Sequence, residues 1–136
     1  MRQPASHHAT LEGVRVLLVD DHALVRHTIT FLLEDWGATV IAVPGVPAAL
    51  EALGRERPNV VLSDIEMPGE DGYSFIRKIR ALPRDRGGLT PAAALTGLTT
   101  EEDRARVLQA GFQYHLTKPV DAQRLVEVVT TLAASA

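Results

Sequence analysis

The chain has 136 residues, 46% hydrophobic and 23% charged, which is typical of one globular domain with an apolar core. Its formal net charge of −3 gives it no electrostatic reason to bind nucleic acid or anionic lipid. The sequence lacks cysteine, a signal peptide and any apolar run of membrane-spanning length, so we expect a cytoplasmic protein without disulfides, thiolate metal ligands or contact with a membrane.

Short apolar runs alternate with helical segments along most of the chain. Residues 1–12 are polar and aperiodic, which predicts a flexible N-terminal tail ahead of one domain at 13–136. The run at 91–96 is rich in alanine, but Pro91, its brevity and its place in the alternation favour a strand. The predicted strands are 14–20, 39–43, 59–64, 91–96 and 114–117.

The helical segments follow these runs. Apolar residues that step by four, three and four predict a first helix ending at Gly37, and weaker spacing predicts helices at 47–57 and 72–81. A capping box at 99–102 predicts a fourth helix that Gly111 closes. The apolar faces of the first and fifth helices are predicted at Val25, Ile29, Leu32 and Trp36, and at Leu125, Val128, Val129 and Leu132.

Five strands joined through helices must run parallel, and strands that are almost entirely apolar are buried on both faces. The pattern therefore predicts an α/β fold with a doubly wound, five-stranded parallel sheet. In such sheets the ligand site lies outside the carboxyl ends of the strands. The residues at these ends are therefore the candidate site residues.

Four of the five predicted strands end in residues that can carry chemistry. Asp20 and Asp21 follow the first strand, Asp64 ends the third, Thr96 ends the fourth and Lys118 follows the fifth. Taken singly, each has an ordinary interpretation as a helix cap, a turn residue or a surface lysine. Together they predict three carboxylates, one hydroxyl and one ammonium group at one edge of the sheet.

Clustered carboxylates need a counter-charge. Two of them about 4 Å apart repel by roughly 4 kcal/mol at an effective dielectric near 20, so the cluster must share a proton or bind a cation. Oxygen ligands open to water suit Mg2+. A carboxylate beside Mg2+, a lysine and a hydroxyl can attack a phosphoryl group in line, which would give an aspartyl phosphate.

The motifs at these strand ends resemble those of the receiver domain of two-component response regulators over about residues 13–134. They are the aspartate pair at 20–21, "SDIEMPGEDG" at 63–72, "ALTG" at 94–97 and "LTKP" at 116–119. The resemblance implies the flavodoxin-like (βα)5 fold with strand order 2-1-3-4-5. It also implies a signalling phosphoacceptor that catalyses only its own phosphorylation and dephosphorylation and is not a turnover enzyme.

The resemblance also implies a role for each residue of the site. Asp64 would be the phosphorylated nucleophile, and Thr96 and Lys118 would contact the phosphoryl oxygens. The Lys118–Pro119 bond resembles one that is cis in the family. The implied Mg2+ ligands are Asp20, largely through water, Asp21, Asp64 and the backbone carbonyl of Glu66.

Signal output in the family depends on a switch in which the threonine hydroxyl moves and an aromatic residue of the fifth strand turns inward. Thr96 and His115 hold these positions, and a tyrosine or phenylalanine is usual at the second. His115 therefore either switches or is an ordinary half-buried strand residue. The implied partners are a histidine kinase or histidine phosphotransfer protein, docking near His22 and Ala23, and a downstream protein bound by the fourth helix, fifth strand and fifth helix.

Two other functions fit parts of the pattern. A phosphatase of the haloacid-dehalogenase type uses the same groups, but it needs a second aspartate where this chain has Glu66. A receiver-like module that never takes phosphate is the other alternative. The chain stops soon after the fifth helix, which predicts output through protein contacts, and a stand-alone regulator and a piece of a hybrid kinase fit equally well.

The remaining charges near the third helix have simpler predicted roles. Asp71 is placed to cap that helix, and Glu70 is predicted to be solvated. A group of basic residues without interleaved aromatics predicts a solvated helix face rather than a nucleic-acid site. Its members are Arg77, Lys78, Arg80, Arg84 and Arg86.

Overall fold

The computed structural model describes residues 10–97 and 100–135, which form alternating strands and helices. Every predicted strand and helix is present, with the predicted boundaries displaced by at most two residues. The strands are β1 (Arg15–Val19), β2 (Thr39–Val43), β3 (Val60–Asp64), β4 (Ala92–Thr96) and β5 (Tyr114–Thr117). The helices are α1 (Ala23–Asp35), α2 (Val46–Glu56), α3 (Gly72–Arg80), α4 (Glu101–Ala110) and α5 (Ala122–Ala134), and a short 3-10 helix spans Arg84–Arg86.

The strands form one parallel sheet in the order β2-β1-β3-β4-β5, as predicted. All five residues of β3 and all five of β4 are buried, because helices cover both faces of the sheet. The edge strand β2 has no fully buried residue. Within residues 10–97 and 100–135, no helix is both long and apolar enough to cross a membrane.

Alternate residues of each strand point to opposite faces of the sheet and create two core layers. In β1, Leu17 and Val19 pack with α2, α3 and α4, whereas Val16 and Leu18 pack with α1 and α5. Leu11 belongs to the second layer and is completely buried, and its N–H donates to the Trp36 carbonyl over 2.8 Å. The folded part of the chain therefore begins before residue 13. The tail at 1–9 lies outside the described residues.

The helix surfaces follow the prediction with one adjustment, in α1. The buried residues of α1 are Ile29 and Leu33, one turn apart, whereas Val25, Leu32 and Trp36 lie at the margin of the contact and are only partly buried. The predicted face of α5 is buried in full. The N-cap of α4 is Thr100, whose hydroxyl accepts from the Asp103 N–H. The other threonine of the predicted capping box, at 99, lies outside the described residues.

The loop ahead of α3 contains one predicted cap and one unpredicted pair. Asp71 caps α3 as predicted, since its carboxylate accepts from the Ser74 N–H over 2.9 Å. Glu70 is not simply solvated, which corrects the prediction. Its carboxylate accepts from the Ser74 hydroxyl and pairs with Lys78 one turn further along the helix.

The prediction of a solvated basic face is wrong for Arg80, which is partly buried and spans two loops. Its guanidinium donates to the carbonyls of Gly88 (3.0 Å), Thr90 (2.7 Å) and Gly111 (3.0 Å). Burial lowers the pKa of this guanidinium. Arg80 thus joins the segment before β4 to the segment before β5 and satisfies carbonyls that no regular ladder satisfies.

We expect Arg80→Ala to lower the free energy of unfolding by about 2–4 kcal/mol, because it leaves three carbonyls without their donor. Urea denaturation at neutral pH measures this change. The exposed Arg84 is the matched control, and Arg84→Ala should change the free energy of unfolding by less than about 0.5 kcal/mol. Equal effects of the two substitutions would contradict a structural role for Arg80.

Candidate functional site

The carboxyl ends of β1, β3, β4 and β5 meet at one edge of the sheet and bring the predicted residues together. Asp20 follows β1 and is completely buried, while Asp64 at the end of β3 and Thr96 at the end of β4 are each only 2% exposed. The backbone N–H of Lys118 donates to the Thr96 carbonyl over 2.9 Å and so extends the pairing of β5 with β4. The edge strand β2 ends in Val43 and contributes no reactive side chain.

Lys118 bridges two of the carboxylates. Its Nζ lies 2.9 Å from Asp20 Oδ2 and 3.2 Å from Asp64 Oδ1. Burial lowers the pKa of Lys118, but the hydrogen bonds and negative charges of the two aspartates outweigh burial and raise the pKa above its ordinary value. Lys118 is therefore a fixed positive charge at the site. The Lys118–Pro119 bond is cis, as the resemblance implied.

Asp64 is the carboxylate with the most perturbed environment. Burial, followed by the charge of Asp20, raises the pKa of Asp64 to about 6, and Asp21 adds to the rise while Lys118 opposes it. Asp64 Oδ1 lies near Lys118 and accepts from the Glu66 N–H over 3.2 Å. Asp64 Oδ2 is buried and accepts no hydrogen bond. Thus Lys118 and the Glu66 N–H hold Oδ1 of Asp64 in place, whereas Oδ2 is available to bind a cation or to react.

Local packing fixes the backbone on which these carboxylates stand. The guanidinium of Arg26 in α1 donates to the Asp20 carbonyl over 2.7 Å. Gly72 opens α3 so close to the end of β3 that a Cβ there would lie 2.3 Å from the Asp64 carbonyl oxygen. Because no side chain could occupy that space, Gly72 allows α3 to pack against the strand that carries Asp64.

The acidic cluster fits a divalent cation. Asp20, Asp21, His22 and Asp64 each offer a ligand atom, and these atoms lie within 4.8 Å of one another. Asp64 Oδ2 and Asp21 Oδ1 are buried oxygens that accept no hydrogen bond, which is the situation a bound cation would relieve. The Glu66 side chain is exposed, so only its backbone carbonyl stays a predicted ligand.

His22 is the member of the cluster that the sequence did not single out as a ligand. It directly follows the aspartate pair, and its Nδ1 lies 3.3 Å from Asp20 Oδ1 and 3.3 Å from Asp21 Oδ1. The signal was its position, because a residue placed immediately after two strand-end carboxylates can fold back over them. That turn depends on a hydrogen bond from the His22 N–H to Asp20 Oδ1, which only the structure reveals.

The two predicted switch residues lie on the same face of the sheet. Thr96 pairs with Thr117 and Ala94 pairs with His115, and alternate residues of a strand share a face. His115 is half-buried. Burial, then the positive charges of Arg104 in α4 and Arg124 in α5, lowers its pKa.

Comparisons with known proteins agree with this geometry. The family model of the response regulator receiver domain matches residues 16–130. An uncharacterized 14.6 kDa protein of Leptolyngbya boryana is 43% identical over 120 residues, which cover 88% of this chain and 90% of that protein. Sensor protein GacS of Pseudomonas syringae pv. syringae is 40% identical over 116 residues, covering 85% of this chain but only 13% of GacS.

A solved structure with a similar fold supports this family assignment. It is the receiver domain of a sensor histidine kinase from Pseudomonas aeruginosa PAO1, with a magnesium ion coordinated in its active-site cleft. The two chains are 32% identical and superpose with a TM-score of 0.81, covering 90% of this chain and 98% of the other. These matches favour a receiver over a phosphatase of the haloacid-dehalogenase type. The chain belongs to the response regulator receiver domain family of two-component and phosphorelay signalling.

Proposed function

We propose that this receiver takes a phosphoryl group from a phosphohistidine onto Asp64 in a reaction that depends on Mg2+. The observation that carries the proposal is the state of Asp64 Oδ2, a buried carboxylate oxygen with no hydrogen bond, beside the charges of Asp20 and Lys118. A carboxylate in this position is held in place without being neutralised. It is therefore available as a nucleophile.

In the proposed step, an oxygen of Asp64 forms a bond to phosphorus while the bond between phosphorus and the donor imidazole nitrogen breaks. The electron pair of that bond returns to the imidazole, and the product is an aspartyl phosphate. A pKa of about 6 leaves Asp64 mostly ionised at neutral pH, so the nucleophile needs no separate base.

Asp20, Asp21, Asp64 and the Glu66 backbone carbonyl are the groups that would hold Mg2+. When bound, the ion would neutralise the phosphoryl oxygens in transfer. Lys118 already lies within 3.2 Å of Asp64 and would pair with a phosphoryl oxygen as a point charge. The hydroxyl of Thr96, at the end of the neighbouring strand, would donate to another oxygen.

Incubation with acetyl phosphate and Mg2+ should add the mass of one phosphoryl group to the intact chain, as measured by mass spectrometry. The gain should vanish in Asp64→Asn and when EDTA removes the metal. Asp85→Asn, in the exposed 3-10 helix, is the control and should keep it. If the folded wild type gains no mass, the chain is a receiver-like module that does not take phosphate.

We further propose that the phosphodonor, a histidine kinase or a histidine phosphotransfer protein, docks on α1. Leu24 and Phe31 are 77% and 71% exposed, which is unusual for large apolar side chains. They lie seven residues apart and therefore share one face of the helix, two turns apart. Leu24 is two residues from His22 at the mouth of the acidic cluster, so a partner on this face can present its phosphohistidine to Asp64.

The double substitution Leu24→Ala/Phe31→Ala should slow phosphotransfer from its cognate donor by at least about tenfold, because it removes the apolar contact. The donor is found by profiling wild type against a panel of phosphorylated kinases and phosphotransfer domains. Phosphorylation by acetyl phosphate, which needs no docking, should stay within about twofold of wild type. Leu89→Ala removes another exposed leucine, 58% exposed and outside α1, and is the control. A normal rate of protein-to-protein transfer in the double variant would exclude docking on this face.

Signal output is proposed to use Thr96 and His115 and the surface formed by α4, β5 and α5, where a downstream protein would bind. Thr96 links this surface to the phosphoryl group, and His115 lies two residues back along the neighbouring strand on the same face. The charges of Arg104 and Arg124 place α4 and α5 within electrostatic reach of His115. A change in the position of this ring would therefore change its electrostatic interaction with both helices.

His115→Ala should reduce the change in hydrogen–deuterium exchange that phosphorylation produces in α4 and α5, because the substitution removes the ring that couples β5 to these helices. The variant should still accept a phosphoryl group, which mass spectrometry verifies in the same sample. Tyr114→Ala, on the opposite face of β5, is the control for general loosening of the strand. An unchanged exchange response in His115→Ala would assign His115 to ordinary packing.

A further inference from the structure

The imidazole of His22 lies against the carboxylates of the acidic cluster and offers a nitrogen among their oxygen ligand atoms. His22 is the N-cap residue of α1, yet its side chain makes no capping hydrogen bond. Its backbone N–H instead donates to Asp20 Oδ1 over 2.9 Å, which turns the residue back toward the carboxylates. The ring is also held over the carboxylates, with Nδ1 at hydrogen-bond distance (3.3 Å) from Asp20 Oδ1, and binding a metal is a second role open to it.

The distances allow that role. The His22 Nδ1 lies 3.3 Å from one oxygen of Asp20 and 3.3 Å from one oxygen of Asp21. Ligands bound to a metal at about 2.0–2.2 Å are separated by about 3 Å when adjacent and about 4.2 Å when opposite. The four ligand atoms of the cluster lie within 4.8 Å of one another, so small side-chain rotations would close them around one ion.

Two features leave ligand atoms of the cluster available to a cation on the side of His22. Asp64 Oδ2 accepts no hydrogen bond, although Asp64 is only 2% exposed. Lys118 approaches Asp20 through Oδ2, whereas His22 approaches it through Oδ1. The ammonium group therefore does not occupy the space between the imidazole and the carboxylates.

Metals differ in their use of such a nitrogen. Mg2+ prefers oxygen ligands and keeps several waters, so an imidazole adds little to its binding. Mn2+, Ni2+ and Zn2+ accept imidazole readily, and their affinity for nitrogen-containing sites rises from Mn2+ to Ni2+. Three carboxylates and one imidazole therefore form a mixed site that favours transition-metal dications more than an all-oxygen site would.

We propose that His22 is a direct ligand, through its imidazole, when the acidic cluster binds a first-row transition-metal dication such as Mn2+, and that it is not a ligand to Mg2+. The proposal rests on the metal site of the proposed function and adds a metal preference to it. His22 would thus shift the metal preference of the cluster toward transition-metal dications.

The test uses the full chain in a His7→Ala/His8→Ala background, which removes the two N-terminal histidines as competing ligands. With Mn2+ as the probe, pulsed electron paramagnetic resonance should show nuclear modulation from a directly bound nitrogen. The modulation should disappear in His22→Ala and persist in His27→Ala, a neighbouring exposed histidine of α1. Asp64→Asn should lower the affinity for every metal tested, which would place the bound ion in the acidic cluster.

Calorimetric titration supplies the second readout. We expect His22→Ala to lower the affinity for Mg2+ by less than about twofold, for Mn2+ by about fivefold and for Ni2+ by more than about tenfold. The reason is that the contribution of a nitrogen ligand to metal affinity rises in that order. Mn2+ bound to the cluster without nitrogen modulation, or equal weakening of all three metals, would overturn the role of His22 and leave the phosphoacceptor function intact. Failure of the wild type to bind any of the three metals would overturn both.

Discussion

The ion pair of Lys118 with Asp20 and Asp64 is the interaction on which the rest of the site depends. Two carboxylates that are almost completely buried face one ammonium group, within 2.9 and 3.2 Å. Burial is the main cause of the raised pKa of Asp64, and the charge of Asp20 adds to the rise. The single positive charge of Lys118 cannot balance two buried carboxylates and the nearby Asp21. The imbalance is what a divalent cation or a transferred phosphoryl group would relieve.

The rigid packing of the fold keeps these negative charges close together. A parallel sheet delivers four strand ends to one edge, and the buried positions of β3 and β4 leave the chain no freedom to move the charges apart. Arg26 holds the backbone of Asp20, and Gly72 lets α3 close on the end of β3. Folding energy from the two core layers thus keeps an electrostatically unfavourable cluster in place.

Most of the fold and the central residues of the site could be predicted from the sequence. Apolar runs and helical spacing are local signals, and the strand-end positions of Asp64, Thr96 and Lys118 follow from them once the strands are known to be parallel. The roles of Arg80 and Leu11 could not be predicted, because each depends on segments far away in sequence that fold over it. The place of His22 among the candidate metal ligands could not be predicted for a different reason. The position of its ring depends on one turn at the end of β1.

The central claim is that of all the carboxylates at this edge only Asp64 carries the phosphoryl group. Reductive trapping with borohydride converts an aspartyl phosphate into homoserine, and tandem mass spectrometry of the digested protein locates the converted residue. After phosphotransfer from a phosphohistidine donor in the presence of Mg2+, homoserine should be found at position 64. Conversion at Asp20 or Asp21 instead, or no conversion in a folded and metal-loaded chain, would contradict the account.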